Sequence, residues 1–392
     1  MIASQLKIVH VFRAPLGGLF RHVVDLAAEQ SARGAQVGLF FDAGARDARV
    51  DGVLSGIADG LALGVGGAPI GRRPGPADLM ALARFRRWLA RVEPDVIHGH
   101  GAKGGLLARL AGRGASRAIV AYTPHGGSFN YRPGTWTHWG FMRVEAALAR
   151  ATDLFLFESD YIAGRFEACV GVPNGLVRRA YNGLRPREFA EVEVAADAAD
   201  LLYIGELRDA KGVDTLIDAL AILTRRGGAA PTLGLVGSGP DRDAFEIRAN
   251  GLGMGRQVRF HGPLPARRAF ALGRVLVVPS RQESLPYIVL EAAAARKPTV
   301  ATSVGGVPEI YGPMSDLLIA PDDPRILAEA MAAKLTADAG EQAAETGALQ
   351  ARVAARFSIS GLADAVLSGY AEALRRRPHF AADPAVRLHP PA

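Results

Sequence analysis

The sequence has very little cysteine: Cys169 is the single one among 392 residues. An intrachain disulfide needs two cysteines, so we expect a fold without one and a reducing compartment. Long apolar runs are also missing, because Arg, Gly or Asp interrupts each before the roughly 20 residues of a membrane span. Residues 1–7 lack a basic segment leading into an apolar one, so no signal peptide is expected. These absences predict a cytoplasmic protein; contact with the inner face of the membrane stays open.

Three functional signatures are missing as well. No G-x-G-x-x-G motif follows the first predicted strand, which argues against a dinucleotide-dependent oxidoreductase. No group of His, Asp and Glu has obvious metal-ligand spacing, so we expect neither a metal nor a cofactor. The formal net charge is +7, but no Lys/Arg block of the nucleic-acid type occurs, and we expect no nucleic-acid partner.

The apolar segments that are present alternate with amphipathic ones. Hydrophobic residues make up 49% and charged residues 22% of the chain, as in globular proteins, and the length suits two domains. Strands alternating with helices predict an α/β fold: two doubly wound, Rossmann-like domains with parallel sheets, facing each other across a cleft. We predict a first domain over 1–185, a linker over 186–199, a second domain over 200–360, a helix over 361–377 that packs back on the first domain, and a loose tail over 378–392.

Residues 279–291 combine a strand end, a loop and a helix start. The apolar strand 275–278 ends at Pro279, and a helix is predicted to open around Pro286, since proline suits a first helical turn. Glu283 then lies in the loop, and Glu291 lies about one and a half turns inside the helix. A helix start attracts anions, and two carboxylates at different depths can bind different hydroxyls. This arrangement suits a nucleotide-sugar, although helix capping also explains single acids at such positions.

Glycine-containing loops follow other predicted strands. In the second half these loops begin at Gly205, Gly237 and Val304. Lys211 precedes a helix, where a cation opposes the helix dipole, so a phosphate partner is the better explanation. In the first half, Gly17–Gly18 follows the first strand and leaves backbone accessible to a phosphate, although tight turns need glycine for other reasons too.

In this order, the segments resemble the retaining glycosyltransferases of family 4, which have the GT-B fold. The resemblance covers about residues 6–375. In the second half it is carried by Gly205, Lys211–Gly212, Val236–Pro240, the E-x7-E pair Glu283 and Glu291, and Ala301–Glu309. In the first half it is carried by Gly17–Gly18, His125, Ser159 and Asn182–Gly183.

The resemblance implies a metal-independent enzyme that moves a hexose from a nucleotide-diphosphate sugar to a glycan or lipid-linked acceptor. Such a reaction belongs to polysaccharide or lipid-linked oligosaccharide synthesis. The implied catalytic residues are Glu283 on the transferred sugar, Lys211 on the diphosphate and His125 on the acceptor side. The implied donor-binding residues are Gly17, Gly18, Gly205, Lys211, Gly237, Ser238, Ser284, Leu285, Pro286 and Glu291.

Two features extend or disturb this resemblance. The family usually has a basic residue after the glycine at 205, whereas this chain has Glu206, which must turn away from a diphosphate or pair with Arg208. Lys211 would then act with Arg208 or Arg281. Aromatic residues over 129–142 are either core or a surface for a membrane-bound acceptor.

Two other functions remain open from the sequence. One is a nucleotide-sugar 2-epimerase-like enzyme of the same fold, and the other is a non-catalytic, two-domain sugar-binding protein. A requirement for an added acceptor would favour transfer over epimerisation. The motifs do not distinguish the donor sugar, its nucleotide or the acceptor.

Overall fold

The computed structural model describes residues 6–112, 117–131, 134–227 and 230–377. The chain divides into two compact units. One contains the chain up to Gly183 and again from Ile359, and the other contains Leu184–Ser358. The tail predicted over 378–392 lies outside the described residues.

The first unit is built on a seven-stranded parallel sheet. Its strands are β1 (Lys7–Val11), β2 (Gln36–Asp42), β3 (Gly64–Ala68), β4 (Val96–His100), β5 (Ile119–Thr123), β6 (Leu154–Phe157) and β7 (Leu176–Arg179). Their order in the sheet is β3-β2-β1-β4-β5-β6-β7. The connecting helices are α1 (Gly17–Ala32), α2 (Ala48–Ser55), α3 (Pro76–Val92), α4 (Gly101–Gly112), α5 (Trp136–Ala149) and α6 (Asp160–Val170).

Burial on both faces explains the apolar strands of this sheet. Every residue of β4 and β5 is buried, because helices cover the sheet on each side. Helix α4 lies directly against β1: a Cβ at Gly104 would come within 2.2 Å of the Val11 carbonyl oxygen. Glycine is therefore required there for the helix to approach the strand.

The second unit has a five-stranded parallel sheet. Its strands are β8 (Ala199–Ile204), β9 (Leu233–Val236), β10 (Val258–Gly262), β11 (Gly273–Val278) and β12 (Thr299–Ala301), in the order β10-β9-β8-β11-β12. Its helices are α7 (Val213–Arg225), α8 (Arg242–Gly251), α9 (Ala266–Phe270), α10 (Tyr287–Ala294), α11 (Val307–Tyr311), α12 (Pro324–Thr336) and α13 (Ala339–Arg356). The predicted α/β class with two doubly wound parallel sheets is confirmed.

The last helix, α14 (Ile359–Arg375), returns to the first unit. Its apolar face packs into the same core as β1 and α1. The Tyr370 hydroxyl lies 2.7 Å from His98 Nδ1, and Arg178 forms an ion pair with Glu372. Burial and polar pairing thus both attach α14 to the first sheet.

The segment predicted as a linker, 186–199, is part of the second unit. Arg267 donates hydrogen bonds to the carbonyl oxygens of Glu188 and Ala190, at 3.1 and 3.0 Å. The Ala195 amide donates to the Ala271 carbonyl at 2.9 Å. Hydrogen bonds to its main chain hold this segment, and such bonds leave no apolar periodicity in the sequence. The second unit begins at Leu184 and ends at Ser358.

No helix in the described part of the chain is both long enough and apolar enough to span a membrane.

Candidate functional site

Strands β8 and β11 are neighbours at the point where the strand order of the second sheet reverses. In open α/β sheets, ligands bind outside the carboxyl ends of the strands at such a switch point. The loop after β8 contains Gly205 and Lys211, and the loop after β11 contains Glu283. The topology therefore brings these three predicted residues to one edge.

Lys211 and Glu283 form an ion pair across this edge. Lys211 Nζ lies 2.7 Å from Glu283 Oε1, and the Ser280 hydroxyl donates to the same oxygen at 2.8 Å. The Glu283 side chain is only 9% exposed, whereas that of Lys211 is 26% exposed. A cation that solvent reaches is thus held in place by a nearly buried carboxylate.

Glycines allow the surrounding loops to touch each other through their backbones. Gly212 has φ +66°, and a Cβ there would lie 2.0 Å from the Pro279 carbonyl oxygen. Gly305 has φ +58°, and its Cβ would lie 1.9 Å from the Glu283 carbonyl oxygen. The Gly306 amide donates to the Ser284 carbonyl at 2.7 Å. The loops after β8, β11 and β12 therefore form one connected rim.

The loop after β9 joins this rim from the other side. Gly237 has φ +147°, and a Cβ there would lie 1.8 Å from the Gly205 carbonyl oxygen. The Leu207 amide donates to the Ser238 carbonyl at 3.0 Å. Main-chain contacts thus join the loop after β8, at Gly205 and Leu207, to the loop after β9, at Gly237 and Ser238.

Helix α10 begins one residue later than the sequence predicts. Pro286 has extended backbone angles and precedes the first helical residue, Tyr287. Leu285 is buried, so it anchors the loop in the core. Glu291 is half-buried on α10, at the fifth helical position. The two acids of the E-x7-E pair therefore lie on a loop and on the helix that follows it, as predicted.

Arg281 is unsuited to be a second cation for a diphosphate. Its guanidinium binds both carboxylate oxygens of Asp214, at 2.8 and 2.7 Å, and also pairs with Asp209 and Asp322. The hydrogen bonds to Asp214 are the main cause that raises the pKa of Arg281. Because these carboxylates already neutralise its charge, Arg281 ties the loops after β8 and β11 together.

Glu206 pairs with Arg208, which was one of the two arrangements expected for it. Arg208 Nη2 lies 3.4 Å from Glu206 Oε1, and both side chains are more than a third exposed. The Glu206 carbonyl accepts a hydrogen bond from the buried Tyr203 hydroxyl at 2.7 Å. The acid at this unusual position thus has a local counter-ion.

The remaining predicted residues lie in the first unit, at the carboxyl ends of its strands. Gly17 and Gly18 are exposed at the start of α1, and Gly17 has φ +61°, which favours glycine. His125 follows β5, is half-buried and has φ +51°, a value that non-glycine residues seldom adopt. Such backbone strain is characteristic of functional sites.

His125 belongs to a cluster of five histidines that the sequence did not indicate. The other members are His10, His22, His98 and His100, and all four are buried. His100 Nδ1 lies 3.0 Å from His125 Nε2, and His100 Nε2 lies 2.9 Å from His10 Nδ1. Burial lowers the pKa of all five histidines, to about 4 for His10 and His22.

The expectation that no residues have metal-ligand spacing overlooked this cluster. Two overlapping groups of three histidines have ring nitrogens within 4.8 Å of one another. The five residues come from β1, α1, β4 and the loop after β5, so their spacing along the chain is irregular. One feature of the sequence could have indicated the cluster: the histidines at positions 98 and 100 of β4 lie on one face of the sheet, because alternate strand residues share a face.

Exposed aromatic side chains lie near the start of α5. Trp136 is 87% exposed and Trp139 is 57% exposed, and their rings meet edge to face at 6.2 Å. Tyr131 is also exposed and stacks on Phe141 at 4.8 Å. The alternative that these tryptophans are core residues is therefore excluded.

Comparisons with known proteins match both halves of the chain. The model of Glycosyltransferase Family 4 matches residues 16–188, and that of Glycosyl transferases group 1 matches residues 198–337. EpsD of Bacillus subtilis strain 168, which is named as a glycosyltransferase, is 31% identical over 264 residues, covering 62% of this chain and 68% of EpsD. D-inositol 3-phosphate glycosyltransferase 1 of Catenulispora acidiphila is 29% identical over 395 residues, covering 91% of each chain.

A solved structure shows the same fold over nearly the whole chain. HepE of Anabaena in complex with UDP superposes with a TM-score of 0.73 and 21% identity, covering 93% of this chain and 99% of HepE. HepE has also been crystallised with UDP-glucose.

Proposed function

Because the chain belongs to glycosyltransferase family 4, we propose that it is a retaining enzyme that transfers a hexose from a nucleotide-diphosphate sugar. The observation that carries this proposal is the Lys211–Glu283 pair at the switch point of the second sheet. Ligands with both phosphates and hydroxyls suit a site that offers a cation and a carboxylate a few ångströms apart.

The donor would bind with its diphosphate near Lys211 and its sugar near Glu283. The Lys211 side chain is partly exposed, so it can turn from Glu283 to a phosphate oxygen. Glu283 would then accept hydrogen bonds from sugar hydroxyls, while Ser280 keeps the carboxylate oriented. Ser284, Leu285 and Pro286 would shape the loop around the phosphates. Glu291 would bind the ribose, and the loop at Gly205, Gly237 and Ser238 would border the base.

Transfer would depend on stabilising the leaving diphosphate. Negative charge grows on that group as the glycosidic bond breaks, and a cation already in place lowers the barrier without reorganisation. The acceptor would attack on the face from which the diphosphate leaves, which retains the anomeric configuration. His125 would contact the sugar from the acceptor side, and Gly17 and Gly18 would offer backbone to the phosphate. In this proposal no metal takes part in transfer.

The acceptor is proposed to be a glycan or a lipid-linked glycan at the inner face of the membrane. The exposed Trp136 and Trp139 support this, because tryptophan favours the interface between water and lipid. Arg143 lies 5.2 Å from the Trp139 ring, so it would add a cation that anionic headgroups could contact. Flotation with vesicles tests this part: a Trp136→Ser/Trp139→Ser variant should lose binding to anionic vesicles. Equal binding by the variant and the wild type would contradict it.

The donor is tested by thermal unfolding with a panel of nucleotides and nucleotide-sugars. A ligand that binds only the folded chain raises the unfolding temperature, and the rise grows with the logarithm of the ligand concentration relative to its Kd. We expect one nucleoside diphosphate and its sugars to stabilise the wild type, and Lys211→Ala to reduce that shift clearly at the same ligand concentration. Absence of a shift for every member of the panel at millimolar concentration would contradict the proposal.

A further inference from the structure

The structure assigns a second ligand site in the first unit: we propose that His22, His100 and His125 bind one Zn²⁺ ion. Each offers a ring nitrogen, and these nitrogens lie within 4.8 Å of one another. Three histidines with an open fourth position form a common zinc coordination set. The site shares His125 with the proposed transfer reaction, which itself uses no metal, so a bound ion would occupy the ring that is proposed to contact the sugar.

Hydrogen bonds set the ring tautomers in a form that can bind a metal. His10 Nε2 lies 2.8 Å from Gln30 Oε1, an oxygen that can only accept, so the His10 proton is on Nε2. His10 Nδ1 then accepts from His100 Nε2 at 2.9 Å. The lone pair of His100 is therefore on Nδ1, which faces His125 Nε2 at 3.0 Å.

His22 is oriented in the same way by a residue far along the chain. Its Nδ1 donates to Asn182 Oδ1 at 2.9 Å, which leaves the lone pair on Nε2. That Nε2 atom is buried and has no hydrogen-bond partner among the described residues. A buried polar atom without a partner destabilises the fold, and a metal ion would satisfy it. A ligating histidine whose other nitrogen donates to an oxygen is the usual arrangement around protein-bound metals.

Binding an ion requires the three rings to turn toward it, because His100 Nδ1 and His125 Nε2 now point at each other and the three nitrogens are within 4.8 Å of one another rather than at zinc-bound spacing. Nitrogens bound tetrahedrally at about 2.0–2.1 Å from zinc lie about 3.3 Å from each other. The pair His100 Nδ1 and His125 Nε2 must open by a few tenths of an ångström from 3.0 Å. His125 moves its proton to Nδ1, so all three rings bind as neutral imidazoles. His125 is half-buried and is followed by the exposed Gly127, so an ion can enter from that loop.

Titration of the tag-free, chelator-treated chain with Co²⁺ tests the site. Nitrogen-bound Co²⁺ absorbs visible light, and Zn²⁺ added afterwards should displace it at one ion per chain. We expect His22→Gln and His125→Gln each to weaken Zn²⁺ binding at least tenfold, as measured by calorimetry. His261→Gln is the matched control, because His261 is a half-buried histidine of β10 in the second unit.

Circular dichroism checks that the variants fold. His125 is the safer substitution because it is half-buried on a loop, so it decides the outcome if His22→Gln unfolds. The proposal is overturned if the folded wild type binds no Co²⁺ or Zn²⁺, or if folded His125→Gln binds Zn²⁺ as tightly as the wild type. Neither measurement depends on transfer activity, so failure of the proposed function would be recognised separately.

Discussion

The sharpest prediction concerns the two members of the Lys211–Glu283 pair, which should behave differently on substitution. In the proposed donor site, Lys211→Ala would remove a charge-assisted hydrogen bond to the diphosphate, which is worth about 1.5–3 kcal/mol. The wild type should therefore bind UDP, or GDP if UDP does not bind, about 10–150-fold more tightly than Lys211→Ala does. The nearly buried Glu283 carboxylate would also repel the nucleotide in this variant.

Glu283→Gln should give the opposite result for the nucleotide alone. Its amide oxygen can still accept from Ser280 and Lys211, and the negative charge beside the diphosphate is gone. We expect UDP to bind at least as tightly as in the wild type, while sugar transfer is lost. Calorimetry with the nucleotide, together with a transfer assay, measures both effects.

Lys334→Ala is the matched control. Lys334 Nζ lies 2.7 Å from Glu345 Oε1, and both side chains are partly exposed, but the pair joins α12 and α13 rather than the strand-end loops. The partly exposed Lys334 pair contributes about 0.2–1 kcal/mol to stability, and in Lys211→Ala the Ser280 hydroxyl still donates to Glu283, so circular dichroism should show both lysine variants folded. The reasoning is refuted if Lys211→Ala binds the nucleotide like the wild type, or if Lys334→Ala loses as much affinity.

Three further predictions concern stability. Gly305→Ala adds overpacking to the strain of a left-handed backbone, and the variant should lose about 2–5 kcal/mol of stability in denaturant unfolding. Gly253→Ala is its control, because Gly253 has φ +78° and open space around it, and it should lose about 1–2 kcal/mol. Equal losses would contradict the close approach of Gly305 to the Glu283 carbonyl. In the structure Arg109 Nη1 lies 2.8 Å from Glu145 Oε2, and both side chains are buried. Arg109→Ala leaves this carboxylate buried without its cation, so the variant should lose about 3–5 kcal/mol of stability in urea unfolding. A loss below 1 kcal/mol would show that the pair contributes little. Burial lowers the pKa of Lys297 from 10.5 to about 8, so between these pH values the unfolded chain binds more protons than the folded chain. The free energy of unfolding of the wild type, relative to Lys297→Met, should therefore rise by about 3 kcal/mol from pH 8 to 10.5. A difference between the two proteins that does not change with pH would contradict the shift.

The sequence predicted the elements with strong periodicity and missed those without it. Strand β3, with the sequence GVGGA, was overlooked because three of its five residues are glycine, and it forms because it pairs along β2 at the sheet edge. Helix α9 was overlooked because five residues are too few to show a helical period. Tertiary pairing determines both elements, and a local pattern does not contain it.

The proposed donor site and the proposed zinc site also differ in how far the sequence indicates them. Glu283 and Lys211 could be found because each stands in a loop between a strand and a helix, where the residue type is informative. The histidine cluster was missed, because its members come from β1, α1, β4 and the loop after β5, which only the folded sheet brings together. Arg281 was one of two alternatives, with Arg208, for a second phosphate cation, because the sequence does not show that Asp214 faces Arg281.

The central claim is that the chain transfers a hexose from a nucleotide-sugar. The direct measurement is to incubate the purified chain with labelled nucleotide-sugars and an extract of lipid-linked glycans, and to follow both the label and the free nucleoside diphosphate. We predict that one labelled sugar enters the extract, that one nucleoside diphosphate appears for each sugar transferred, and that Glu283→Gln does neither. Three results would contradict the claim. They are release of nucleoside diphosphate without transfer, label that stays on every donor, and transfer by Glu283→Gln at the wild-type rate.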